Sequence, residues 1–299
     1  MAALMVRYYR GMSKDSQREV ASQLRRAVKG QVLPKVNKAK SDARAAKVDG
    51  PVCEGAMIAG KYKLLRVMGM DGVAQVWKAE DMTLGRAVLI KRLYAAPEAA
   101  ELRARTMDAA KKAAALHHPN IAELFEVLDR AAGLFLVYEY TSGKSIRRIL
   151  KSVGTLPSSQ ILGILIPVCR ALEHSHRQGI AHGGLSPERI VLTQQGYVKV
   201  TDFVLARTTT PTAKPYRAPE MNGGVPTAAA DIFSLGACFL EMLTGKRPPY
   251  DELITLKLDS RIEELMKKVL DPDPEKRFSS SMELLGALQG MSGEDGASS

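Results

Sequence analysis

The sequence predicts an α+β fold, strand-rich over residues 59–139 and mostly helical over residues 143–290. Three observations predict it. Between Lys61 and Tyr138 apolar residues alternate in short runs divided by glycine-bearing turns, the period of a strand. From Ser145 onward they recur three and four apart, the period of a helix. The length, 299 residues, suits one domain of that kind with a short extension.

Residues 1–58 read as a basic extension and linker. The first fifty residues hold 12 Lys+Arg against 4 Asp+Glu, so they carry +8 of the net +11. Ser16-x-x-Glu19 has the form of a capping box, and Val20, Leu24, Ala27 and Val28 share one helical face behind it. Pro34 stops that helix, and Lys35–Gly50 is polar linker text. Three readings of this segment stand: a solvated tail with one marginal helix, a basic patch for nucleic acid or an anionic membrane, or a helix that docks on the domain or a partner. No aromatic interleaving supports base stacking.

In the strand-rich part, Lys61–Val67, Ala74–Ala79 and Arg86–Leu93 read as strands, with turns at Gly69–Gly72 and Thr83–Gly85. Pro97–Leu116 reads as an Ala-rich helix broken by His118-Pro119-Asn120. Two further strands fall near Ala122–Leu128 and Leu134–Tyr138, giving five strands with one main helix after the third. The helical part reads as helices at Ser145–Lys151, Ser158–Gln178, Ala228–Leu243, Leu256–Leu270 and Ser280–Leu288, with a hairpin at Ile190–Val200. Residues 291–299 read as a disordered tail.

Cys53, Cys169 and Cys238 are too few and too scattered for a disulfide framework or a metal site. The last two sit in apolar helical text and read as small buried hydrophobes. No apolar run reaches the ~18 residues that a transmembrane segment needs, and the first residues are too short an apolar stretch for a secretory leader. The chain reads as soluble and cytoplasmic.

Nine short motifs then occur in order. They are Gly69 with Val76, Val88-Leu89-Ile90-Lys91, His118-Pro119-Asn120, Glu139-Tyr140, His182…Pro187-Glu188, Asp202-Phe203, Tyr216–Glu220, Asp231–Gly236, and Asp271-Pro272…Arg277. Together they resemble the eukaryotic-type protein kinases, and most of all the bacterial serine/threonine kinases of that type. The resemblance covers about residues 60–290 and implies a bilobal protein-kinase-like fold, with the five strands and main helix as its small lobe and the mostly helical part as its large lobe. It implies ATP and Mg2+ as cofactors. It implies nucleotide contacts at Gly69, Val76, Leu89, Lys91, Glu139 and Val191, and a metal contact at Asp202.

The chemical positions depart from the family. Its glycine loop, G-x-G-x-x-G, lets backbone amides approach phosphate. Here those positions are Gly69, Asp71 and Ala74. The helix glutamate that holds the family's lysine corresponds to Ala109, with Asp108 beside it and about 100° around the helix. Lys91 could still pair with Asp202 in an empty pocket. Leu89 replaces the small residue over adenine, and Tyr138 is a bulky gatekeeper. Gly184 stands at the base position, Ser186 at the lysine that neutralises γ-phosphate, and Arg189 at the second metal ligand. Glycine accepts no proton, and a guanidinium does not ligate a cation. Arg189 could instead present a metal-like charge to phosphate.

The structural positions are kept. His182, Phe203, Leu124 and Ala113 match the stacked spine, Asp231 matches the aspartate that holds the catalytic loop, and Glu220 with Arg277 matches a buried ion pair. From Asp202 to Glu220 is 19 residues, a short activation segment. Its Thr208, Thr209, Thr210 and Thr212 are phosphorylation candidates or plain loop text, and Ala213 replaces a threonine.

The expectation is therefore a catalytically impaired kinase-like domain, a pseudokinase. It would act as a regulatory or scaffolding module with a protein partner and no required cofactor. The alternatives are an atypical ATP-dependent serine/threonine kinase using Lys91 and Asp202, and an anionic-surface binder acting through residues 1–50.

Overall fold

The computed structural model describes residues 52–71, 74–93, 100–130, 132–203, 215–221, 225–248 and 259–293. The basic segment 1–50 with its expected helix, the threonines 208–212, Ala213 and residues 294–299 lie outside the described residues.

The small lobe is one antiparallel sheet. Its strands are β1 (Met57–Ile58), β2 (Tyr62–Asp71), β3 (Ala74–Asp81), β4 (Arg86–Leu93), β5 (Leu124–Arg130) and β6 (Gly133–Glu139), in the order β1-β2-β3-β4-β6-β5. Five match the sequence expectation. β1 is an addition of two residues, paired with Tyr62 and Lys63, and too short to show a period. Helix α1 (Ala100–Ala113) follows β4.

Period-two alternation divides the sheet's side chains between two cores. Ile58, Tyr62, Leu64, Trp77, Val88 and Ile90 build an outer core of their own. The alternate residues Leu93, Leu134, Leu136 and Tyr138 face the other way, and join α1 and the second lobe in the main core.

The second lobe contains α2 (Ile146–Val153), α3 (Ser158–His176), α4 (Ala228–Thr244), α5 (Ser260–Val269) and α6 (Ser281–Gly293), with a small sheet of β7 (Gly143–Ser145), β8 (Ile190–Thr193) and β9 (Val198–Val200). Side-chain caps start three of these helices. Ser145 accepts from Arg148 N, Thr227 from Ala230 N, and Asp259 from Arg261 N. α4 is apolar almost all round, as befits a helix buried at the lobe's centre. α6 runs to Gly293 rather than stopping at Leu288, so residues 291–293 are helical and not tail. Buried Leu284, Leu285 and Leu288 dock α6 on α3, and that packing outweighs the helix penalty of Gly290.

Cys169 and Cys238 are buried and free, and Cys53 is exposed. Burial pushes the Cys169 thiol up to about 12, so it is chemically inert. No helix among the described residues is long and apolar enough to cross a membrane.

Candidate functional site

Alternation along β4 sends Val88 and Ile90 outward, and turns Leu89, Lys91 and Leu93 toward the cleft between the lobes. Lys91 lies opposite Val76 on β3 and Leu136 on β6. It is 5% exposed. Its Nζ sits 2.8 Å from Asp202, just beyond β9, and 2.5 Å from Asp71 Oδ2 at the end of β2.

Asp202 has a third neighbour. Arg189, the residue before β8, places Nε 3.7 Å from Asp202 Oδ2, and its Nη1 donates to the Gly184 carbonyl. The four groups form a line, Asp71–Lys91–Asp202–Arg189, in which carboxylate and cation alternate and the net charge is zero. Burial alone would lower the Lys91 ammonium, but Asp202 and Asp71 outweigh it and hold the pKa above the ordinary lysine value. Burial would likewise raise Asp202, and the Lys91 and Arg189 cations overcome it and hold the carboxyl below its usual range. Asp202 adopts φ +74°, a left-handed conformation uncommon outside glycine.

The loop from His182 to Arg189 is fixed from beneath. Asp231 on α4 accepts the backbone N–H of His182 and of Gly183, each at 2.7 Å, and Nε2 of His176 lies 2.8 Å from the same carboxylate. The His182 ring meets Phe203 edge-on at 4.7 Å between centroids, and its Nε2 contacts the Thr201 carbonyl at 2.9 Å. Burial drives His182 down to about 4, so the imidazole is neutral at physiological pH. Gly184 has no side chain to offer; its N–H donates to His182 Nδ1 at 3.3 Å and its carbonyl accepts from Arg189. The Ser186 hydroxyl is buried and has no hydrogen-bond partner among the described residues.

Asp71 and Ala109 behave as their types dictate. Ala109 packs in the core, and Asp108 is exposed and paired with Lys112 at 3.2 Å. No carboxylate of α1's described side chains reaches Lys91, and Asp71 pairs with it instead.

The remaining candidate residues are dispersed around the cleft. Gly69 pairs with Val76 across β2 and β3. Leu89 is half-buried opposite Tyr138, whose hydroxyl is buried without a partner among the described residues. Val191 lies on β8 in the other lobe, and the Glu139 side chain is held by Lys199 at 2.7 Å.

Glu220 and Arg277 form a two-pronged pair at 2.6 and 2.8 Å, with Arg277 also donating to the carbonyls of Asp271, Ala229 and Pro272.

The protein kinase domain model matches residues 62–287 of this sequence. The chain belongs to the protein kinase family.

The kinases it resembles include bacterial ones. The serine/threonine-protein kinase PrkC of Bacillus subtilis is 33% identical over 208 residues, covering 65% of this chain and 32% of that protein. Serine/threonine-protein kinase PknA of Mycobacterium tuberculosis is 32% identical over 241 residues, covering 74% and 53%. This chain thus spans about a third to a half of the length of these relatives. A mutant of the PknI kinase domain from Mycobacterium tuberculosis superposes with a TM-score of 0.70 at 26% identity, over 82% of this chain and all of that one.

A kinase's Mg2+ asks for carboxylate and amide oxygens. The residues here do not fit it. Asp202 is the one carboxylate at the metal position, both its flanks are taken by cations, and the other ligand position is Arg189. At an effective dielectric of 20, a divalent ion ~4 Å from a guanidinium is opposed by about 8 kcal/mol.

Two features of this chain escaped the sequence reading. Arg147 on α2 donates to Glu188 at 2.7 Å, to Glu241 on α4 and to the Tyr216 hydroxyl, a buried cluster drawn from four separate segments. Behind the strand that ends at Glu139 lies a cavity of about 470 Å³, lined by Arg86, His117, His118, Glu123 and Tyr140 among others. Within the Arg147 cluster only Glu188 and Tyr216 carried a motif signal. Arg147 and Glu241 read as ordinary helix positions.

Proposed function

We propose that this chain is a kinase-fold regulatory module that engages a protein partner and transfers phosphoryl groups poorly or not at all. The observation that carries the reading is the ion line Asp71–Lys91–Asp202–Arg189, in which each group that a nucleotide or metal would need already has an internal counter-ion. Gly184 and Ser186 add to it. Neither supplies a base for an alcohol nor a cation for a γ-phosphate, and phosphoryl transfer rests mainly on such positioned charge.

The test is transfer of labelled γ-phosphate from ATP to generic protein acceptors and to the chain itself, with Mg2+ or Mn2+. The expected result is no transfer above an Asp202→Asn control. Transfer that disappears in that control would overturn the reading.

A second reading is an ATP-dependent serine/threonine kinase of unusual chemistry. Two observations favour it: the relatives are named as serine/threonine-protein kinases, and Lys91 and Asp202 stand 2.8 Å apart. The same assay separates the two. The third expectation, binding of nucleic acid or anionic membrane through residues 1–50, concerns residues outside those described.

A further inference from the structure

Resting on the reading that the cleft is not a working transfer site, we infer that Asp71 and Arg189 are the residues that decide what this cleft holds. The Asp71 carboxylate takes the phosphate-gripping side of Lys91, and the Arg189 guanidinium takes the metal side of Asp202. The cleft is thereby locked against a metal-bound nucleoside polyphosphate. Once Asp71 is neutralised, it takes a nucleoside polyphosphate without a divalent ion.

The geometry argues for a lock rather than an incidental ion pair. Asp202 is shared between Lys91 and Arg189, so Asp71 completes the neutralisation of Lys91, and a phosphate could reach that ammonium only in place of the Asp71 carboxylate. Asp71 arrives from the end of a strand with two register shifts, between Leu64 and Arg66 and between Val67 and Gly69. Such shifts re-aim the side chains beyond them. The Asp71 side chain is 23% exposed, against 4% for Asp202 and 2% for Arg189. It is therefore the one member of the line with room to swing away from the cation it covers. Arg189 has no such freedom, because it is buried between Asp202 and the Gly184 carbonyl. A ligand thus meets a movable anion on the phosphate side and a fixed cation on the metal side. The fixed cation attracts phosphate oxygens and repels Mg2+.

The experiment is calorimetric or thermal-shift titration of the full chain with ADP, in EDTA and in excess Mg2+. The wild type is compared with Asp71→Asn and with Asp71→Asn combined with Arg189→Asn. Wild type is expected to show no measurable binding at millimolar ADP in either buffer. Asp71→Asn should bind at least tenfold more tightly than that limit, equally well with and without Mg2+. The double variant should regain at least a tenfold tightening by Mg2+.

If Asp71→Asn binds no better than wild type, the lock is overturned and the regulatory-module reading stands. If Mg2+ tightens ADP binding to Asp71→Asn with Arg189 still present, the metal half is overturned, and that arm decides even where the double variant fails to fold. If wild type itself binds Mg–ADP, both this inference and the closed-cleft reading fall.

Discussion

Replacing Asp231 by asparagine isolates what holds the catalytic loop from what the loop was built to do. The Asp231 carboxylate is fully buried and accepts three donors: the N–H of Gly183 at one oxygen, and the N–H of His182 with His176 Nε2 at the other. An asparagine of the same shape has one acceptor oxygen. Whichever way it turns, at least one buried N–H faces an NH2 group and loses its partner. A stranded buried donor costs about 1–3 kcal/mol, and a hydrogen bond to a charged acceptor contributes about 1.5–3 kcal/mol. One stranded donor plus two weakened bonds gives about 3–5 kcal/mol. For a domain of this size that is a fall in melting temperature of roughly 6–20 °C. Urea unfolding followed by circular dichroism measures it, with Asp108→Asn as the control. Asp108 is exposed and makes a one-turn pair with Lys112, so its loss should stay under about 0.5 kcal/mol. A loss below 1 kcal/mol for Asp231→Asn would refute the claim that this carboxylate organises the loop.

Arg277→Met should cost about 3–5 kcal/mol in the same assay, because a fully buried guanidinium loses Glu220 and three carbonyls at once. Arg147→Met should cost a similar amount by leaving Glu241 buried without its main cation, and adding Glu241→Leu should recover most of it. Gly183→Ala should cost about 1–3 kcal/mol, since Gly183 sits at φ +72° and a Cβ there would come within 2.6 Å of Pro226. Gly196→Ala, at φ +90° in open space, should cost less than Gly183→Ala. The pH dependence follows from His182, whose folded value of about 4 lies below the ordinary 6.5. Its contribution is complete above pH 6.5 and is lost as pH falls toward about 4, amounting to roughly 3 kcal/mol. A His182→Phe variant should lack that part of the acid destabilisation in unfolding titrations between pH 7 and 4.

The strands, helices and motif order of this chain were legible because each rests on local periodicity or on a residue at a fixed offset. Lys91 and Asp202, 111 positions apart, were legible as partners because each belongs to a motif of its own. Asp71 was legible as an intruder in a glycine position. Its closure on Lys91 was not, because that depends on register shifts in β2 that leave no composition signal. The Arg147 cluster was illegible for a related reason. Its members come from α2, the catalytic loop, the segment before Pro219 and α4, and only the tertiary fold brings them within hydrogen-bond reach. β1 is too short for any period, and the length of α6 was decided by leucines docking on α3.

The pattern of what this chain kept and what it changed follows from which residues the folded state needs. Asp231, Arg277 and His182 each satisfy buried groups, so losing any of them takes several kcal/mol from a total that is usually 5–15 kcal/mol. Gly184 and Ser186 satisfy little that the fold requires, and those positions could change without unfolding the protein. Lys91 and Asp202 stand between these cases. They are buried ions that nucleotide and metal would ordinarily help to neutralise. Arg189, at 2% exposure, brings a further cation into the same dry region. With Lys91 and Arg189 both drawing on Asp202, the region would hold two cations against one carboxylate, a buried excess charge of the kind proteins do not tolerate. Asp71 restores the balance. The two departures from the family's pattern that look most damaging to chemistry are therefore coupled: Arg189 creates the need for a second carboxylate and Asp71 meets it. A cleft neutral in itself no longer depends on a ligand for its stability.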